Sequence, residues 1–140
     1  MKKRWVKILL TIIIIGVVIG IISILWVFRK SPDSVGSKKP DIIMEAQALS
    51  KAFENNENEA NKQYLNKVIQ VTGTIESIKE NGPEIAISLK ENGEMTGVIC
   101  NFTKGTVDIT KHKAGDKISV KGICNGFLMD VVLKKCKLTE

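Results

Sequence analysis

Hydrophobic and polar positions divide the chain into three stretches with different periods. Residues 8–28 are apolar apart from Thr11 and Ser23 and carry no charge over 21 positions. A helix of that length is about 31 Å long, close to the hydrocarbon thickness of a bilayer. From Ile42 the period is helical: Ile42, Ala46, Leu49, Phe53, Asn56, Ala60 and Tyr64 recur at three- and four-residue steps, with Glu45, Lys51, Glu54, Glu57 and Lys62 off that stripe. Pro40 and Asp41 suit its start, and Asn66 its end.

After Lys67 the period becomes two. Ile69, Val71, Gly73 and Ile75 alternate with polar residues, and Ile85, Ile87 and Leu89, then Val98, Cys100 and Phe102, repeat the pattern. Asn81-Gly82-Pro83 reads as a turn, and Asn92-Gly93 as a type I′ hairpin. An irregular stretch, 103–116, precedes a fourth strand at Ile118 and Val120, a tight turn at Asn125-Gly126 and a fifth strand over 127–138. Gly73, inside the first strand, permits the sharp bend of a barrel corner. The fold expected is mainly β: a five-stranded Greek-key barrel preceded by an α-helix, with one N-terminal transmembrane helix. An open α+β sandwich is the alternative; closure is preferred because open sheets expose edges.

Charge separates the stretches further. Up to Pro40 there are eight basic residues against Asp33, a net +7; the remaining 100 residues carry 13 basic and 14 acidic groups, a net −1. Residues 1–30 are therefore expected to be a membrane anchor with basic flanks, meeting the lipid bilayer through 8–28. Trp5 and Trp26 suit the headgroup layers. A cleaved export signal is the competing reading. It is disfavoured because the apolar run is longer than a signal core and Arg29-Lys30 closes it. Residues 31–40, with two prolines and a glycine, read as a tether, and 41–140 as one small domain. The basic residues divide evenly across the span; the short leader places the N-terminus in the cytosol and the domain outside it.

The order of certain residues resembles a known family. Asn56-Glu57, Ala60, Tyr64 and Lys67 lead into Val71-Thr72-Gly73-Thr74-Ile75; Val98, Cys100 and Phe102 follow, then Gly115-Asp116-Lys117, Val120 and Gly122, and finally Asp130-Val131, Leu133 and Cys136. This arrangement resembles the bacterial tRNA_anti-like family of OB-fold proteins over about 41–140. The resemblance implies an oligonucleotide/oligosaccharide-binding barrel behind a helix, exported or membrane-tethered, and no established activity. Similar proteins often carry a lipid-attachment cysteine, which is absent near this anchor, and often a glycine where this chain has Asn66.

Candidate chemistry is sparse. His112 is the sole histidine, and no nucleophile motif or metal-spaced cluster accompanies it. No cofactor, metal or catalytic residue is expected. Single-stranded nucleic acid needs exposed rings and a basic groove. Of Phe53, Tyr64, Phe102 and Phe127 only Phe127, beside the Asn125-Gly126 turn, reads as free of the core. The ligand-binding candidates are therefore Phe127 with Lys111, Lys113, Lys117 and Lys121. Cys100, Cys124 and Cys136 read as buried thiols or, in an oxidising compartment, as a source of a Cys100–Cys136 disulfide, since those two strands neighbour each other in an OB barrel. The function expected is a non-catalytic membrane-anchored binding or scaffolding module with a protein partner at the membrane. The alternative is a binder of single-stranded nucleic acid or oligosaccharide through the barrel face and the loop between the fourth and fifth strands, and a third an enzyme accessory domain.

Overall fold

The computed structural model describes residues 7, 11–21 and 35–139, and the chain divides into two compact units, Met1–Asp33 and Ser34–Glu140. In the first unit, residues 11–21 are helical, and the Thr11 hydroxyl donates to the Lys7 carbonyl at 2.7 Å. The remainder of the expected span, 8–10 and 22–28, lies outside the described residues. Among the described residues no helix is long and apolar enough to cross a membrane.

The second unit holds β1 (Ile42–Glu45), α1 (Ala46–Asn55), α2 (Glu57–Tyr64), β2 (Val68–Asn81), β3 (Glu84–Leu89), β4 (Val98–Thr103), a 3₁₀ turn (Ile109–Lys111), β5 (Lys117–Phe127) and β6 (Val131–Leu138). Strand order is β1-β2-β3-β4-β6-β5, and β5 returns to β2 through pairs running from Val68–Ile123 to Thr74–Lys117. Strands β2 to β6 thus close a five-stranded barrel. The β4–β6 pair is parallel and the other barrel pairs are antiparallel, as expected of an OB topology.

One strand serves two neighbours because it bends. The first half of β2 pairs with β5 and its second half with β3, with a register shift between Ile75 and Ser77. Gly73 stands before that bend. A Cβ there would come 2.9 Å from the Ala46 Cβ and 3.3 Å from the Leu89 Cβ, so the missing side chain is what lets α1 and β3 approach.

The expected single helix is divided. Its first turn is instead β1, which runs parallel to β2 in the register Ile42–Ile69 to Glu45–Thr72. The Asp41 amide donates to the Val68 carbonyl at 2.8 Å, and its carboxylate accepts from the Val68 amide at 2.9 Å. The free edge of β2 supplies partners that a first helical turn lacks, so a branched Ile-Ile pair extends. Asn56 then breaks the helix: its backbone is extended, and its side chain accepts from the Glu59 amide at 3.1 Å to cap α2. The stripe itself survives. Ala46, Leu49, Phe53, Ala60 and Tyr64 are all buried and close one end of the barrel over Ile69, Val71, Leu89, Val98 and Leu133. Asn66 takes the left-handed backbone, φ 63°, just past the helix.

Two turns differ from expectation. Asn92-Gly93 lies in an eight-residue loop, 90–97, because the ladder stops at Leu89–Val98. Asn125-Gly126 is not a turn: β5 continues through it with a bulge, Gly126 at φ 116°, and β6 starts only at Val131. The expected tether is also ordered in its second part. Val35 is buried, and the Lys121 ammonium donates to the carbonyls of Gly36 at 3.1 Å and Lys38 at 2.7 Å. This lays 35–40 against the barrel, while 31–34 lie outside the described residues.

Candidate functional site

The face an OB barrel uses for ligands is the outer side of its second and third strands, here β3 and β4, flanked by its first and last hairpin loops. Alternation fixes what that face displays. Ile85, Ile87 and Leu89 point inward and are buried; Ala86 and Ser88 point outward, opposite Asn101 and Ile99 on β4. Val132 on β6 lies beside Ile99. The face carries small polar and aliphatic groups and no ring.

The rings are elsewhere. Phe53 and Phe102 are each 1% exposed and Tyr64 7%. Phe127, expected to project from a loop, is half-buried beneath α1, its ring stacked on Phe53 with centroids 5.7 Å apart. Among the described residues every aromatic side chain therefore belongs to the core or packs against it.

The lysines do not converge with Phe127. Lys111 is exposed and lies 3.5 Å from Asp108, whose carboxyl is held below its usual range by hydrogen bonds from Thr110 and by Lys111. Lys113 is exposed in the loop before β5. Lys117 begins β5, 3.9 Å from Glu45, and Lys121, buried, is occupied with the carbonyls of 35–40. Phe127 ends the same strand ten residues beyond Lys117. His112 is half-buried beside the 3₁₀ turn.

The three cysteines are free and buried. Cys100 and Cys136 are brought together inside the barrel, as their strand order suggests. A hydrogen bond between the two thiols, with burial, pushes the Cys100 thiol well above its usual range. Cys124 and Cys100 flank Leu133 from either side, and burial raises Cys124 too. Among the described residues no three His, Cys, Asp or Glu side chains converge as a metal site.

Two hollows lie where the helices meet the barrel. The first, about 420 Å³, lies between the start of α1, Gly73 and the 90–97 loop; Gln47, Ser50, Thr72, Thr74, Glu91 and Glu94 give it a polar wall. Glu94 is held there by Gln47 at 2.5 Å and Lys51 at 3.3 Å, and the Gln47 hydrogen bond is the main reason its carboxyl sits low. The second, about 440 Å³, is a groove between α2 and the end of β5. Leu65, Phe127, Leu128 and Val132 line it, with Glu57 and Asn61 at its margin.

The 90–97 loop and the segment 128–130 after β5 expose large apolar side chains. Leu128 is 86% exposed, Met129 82% and Met95 89%. The loops that carry them are tied together: the Gly97 amide donates to the Asp130 carboxylate at 2.7 Å, and the Val131 amide to the Gly97 carbonyl at 3.0 Å. Sequence periodicity missed this cluster because Leu128 and Met129 fall in the segment expected to be strand, where apolar residues pass for core.

The closed barrel with its β4–β6 parallel pair and helical plug defines an OB-fold domain. The tRNA_anti-like family model matches residues 1–138, and the chain belongs to that family. Its structure is similar to that of a protein from Klebsiella pneumoniae subsp. pneumoniae named a "putative nucleic acid-binding lipoprotein", at 19% identity and TM-score 0.60, covering 79% of this chain and 98% of that one. Weaker likenesses reach the S. pombe Stn1-ten1 complex (18% identity, TM-score 0.40, 52% and 58% covered). Another is an aspartyl tRNA synthetase from Entamoeba histolytica (12% identity, TM-score 0.43, 72% and 26% covered). Comparison with curated proteins finds no match.

Proposed function

We propose that the chain is a non-catalytic binding or scaffolding module: an OB barrel held at the cell membrane by residues 8–28, displayed outside the cytoplasm and engaging a protein partner there. One observation carries the choice of partner: the described aromatic rings are packed inward, so the barrel wall offers no platform on which bases stack. Net charge supports it, since residues 41–140 sum to −1 and release few counterions from a polyanion. The membrane part rests on the uncharged run and its basic flanks.

A second reading, binding of single-stranded nucleic acid or oligosaccharide, is favoured by the name of the Klebsiella protein, whose whole length this chain parallels. Fluorescence anisotropy separates the two. With the full chain in neutral detergent and mixed-sequence DNA or RNA oligomers at about 0.15 M salt, affinity should be no tighter than roughly 10 μM. Submicromolar binding that weakens steeply with salt would install the second reading in place of the first. The anchor is tested by membrane fractionation and intact mass: a chain released by carbonate, or one starting near Ser37, would remove it.

A further inference from the structure

We infer that the groove between α2 and the β5–β6 hairpin is a docking site for a polypeptide segment that places an apolar side chain beside a lysine or arginine. The inference rests on the binding-module reading and names the surface and the chemistry of the partner.

The groove is part of the fold. Gly126, in a left-handed bulge, brings the end of β5 under α2, where its Cβ position would lie 3.8 Å from Leu65 Cδ1. The Phe127 ring, fixed by its stack on Phe53, and Val132 line the hollow. Its volume of about 440 Å³ falls in the range of ligand-sized clefts and accepts two or three aliphatic side chains. Leu128 carries this apolar lining out to solvent, Met129 next to it in the chain is exposed, and Met95 is exposed on the loop tied to theirs through Gly97 and Asp130. Single exposed apolar residues are ordinary, but a group contiguous with an apolar groove marks an interaction surface. Methionine and leucine there adapt to varied apolar partners.

Charge selects the occupant. No lysine or arginine lines the groove, and its one ionisable residue is Glu57, exposed at the start of α2. Asp130 lies in the adjoining loop, and Glu54 binds the Thr96 hydroxyl in the other. Lys51, the nearby cation on α1, is held 3.3 Å from Glu94. On α2 itself Lys62 is held 3.6 Å from Glu59, so the groove's own lining presents one carboxylate and no cation, which favours an ammonium or guanidinium over a phosphate beside the apolar anchor.

Methionine methyl NMR reports on the site, because Met129 directly follows the groove residue Leu128 while Met44 lies on β1. The full chain, ¹³C-methyl-labelled at methionine in neutral detergent, is titrated with a twelve-residue peptide of alternating leucine and lysine. The control has glutamate for each lysine. The Met129 methyl should shift saturably with the lysine peptide and not with its control, and Glu57→Lys should weaken that binding about tenfold while the Met44 methyl keeps its position. Leu128→Ser, at a groove residue that is 86% exposed, should weaken it without loss of fold. Equal shifts with the acidic peptide, or larger ones with anionic phosphatidylglycerol vesicles, would overturn the assignment. A peptide that shifts Met44 alone would defeat this surface and leave the binding-module reading standing, whereas tight oligonucleotide binding defeats that reading itself.

Discussion

Phe127 lies against Phe53 with ring centroids 5.7 Å apart and ring planes 21° apart, and this stack joins the helical plug to the last hairpin of the barrel. Phe53 is 1% exposed and also meets Tyr64 at 6.0 Å. Phe53→Ala should cost about 3–5 kcal/mol by loss of transfer energy and creation of a cavity. Phe127→Ala, half-buried, should cost about 1–3 kcal/mol, with a coupling of about 0.5–1.5 kcal/mol between the two. Urea denaturation of the single and double variants provides the cycle; strictly additive costs would mean the stack contributes nothing beyond burial.

Gly73 is required for space. Gly73→Val should destabilise by about 1–3 kcal/mol because its Cβ would press on Ala46 and Leu89. Ala46→Gly in the same chain should recover part of that loss by removing the nearest atom. Thermal melts of the pair decide it: a Gly73→Val variant as stable as the parent would contradict the close approach.

Lys121 fastens the segment that precedes the domain. Its ammonium donates to Gly36 and Lys38, so Lys121→Met should leave two carbonyls without that donor and loosen 35–40. Limited trypsin digestion should then cut after Lys38 several-fold faster, while the barrel remains resistant. Cleavage at the parental rate would show that burial of Val35 alone holds the segment.

The barrel thiols make stability depend on alkaline pH. The Cys100 thiol is raised in the folded state by its hydrogen bond with Cys136 and by burial. The native state therefore holds its proton where the unfolded chain gives it up. This contribution is complete below about pH 8.5, the ordinary thiol value, and is lost as pH rises above it. Denaturation midpoints at pH 7.5 and 9.5 should differ more for the parent than for Cys100→Ala. Iodoacetamide should label Cys100 only in step with unfolding; rapid labelling of the native protein would refute its burial.

What was legible in the sequence is what local periodicity encodes. The helical stripe Leu49, Phe53, Ala60 and Tyr64, the inward set of Val71, Ile87, Val98 and Leu133, the left-handed Asn66 and the bend near Gly73 all follow from spacing and side-chain type, because each side chain's face is set by its own backbone period. Tertiary structure decided the rest. Ile42 and Ile43 join a strand because the bent β2 leaves an edge to pair, and Asn125-Gly126 stays in β5 because β6 goes on pairing past the extra residue bulged there. Lys121 became a clasp and Phe127 a ring packed against the core through neighbours at least 74 positions away, Lys121 with Lys38 and Phe127 with Phe53. The groove at Leu65 and Leu128 was beyond reach for the same reason. Alternation distinguishes the two faces of a strand, but only the placing of α2 beside that hairpin decides which apolar residues remain uncovered.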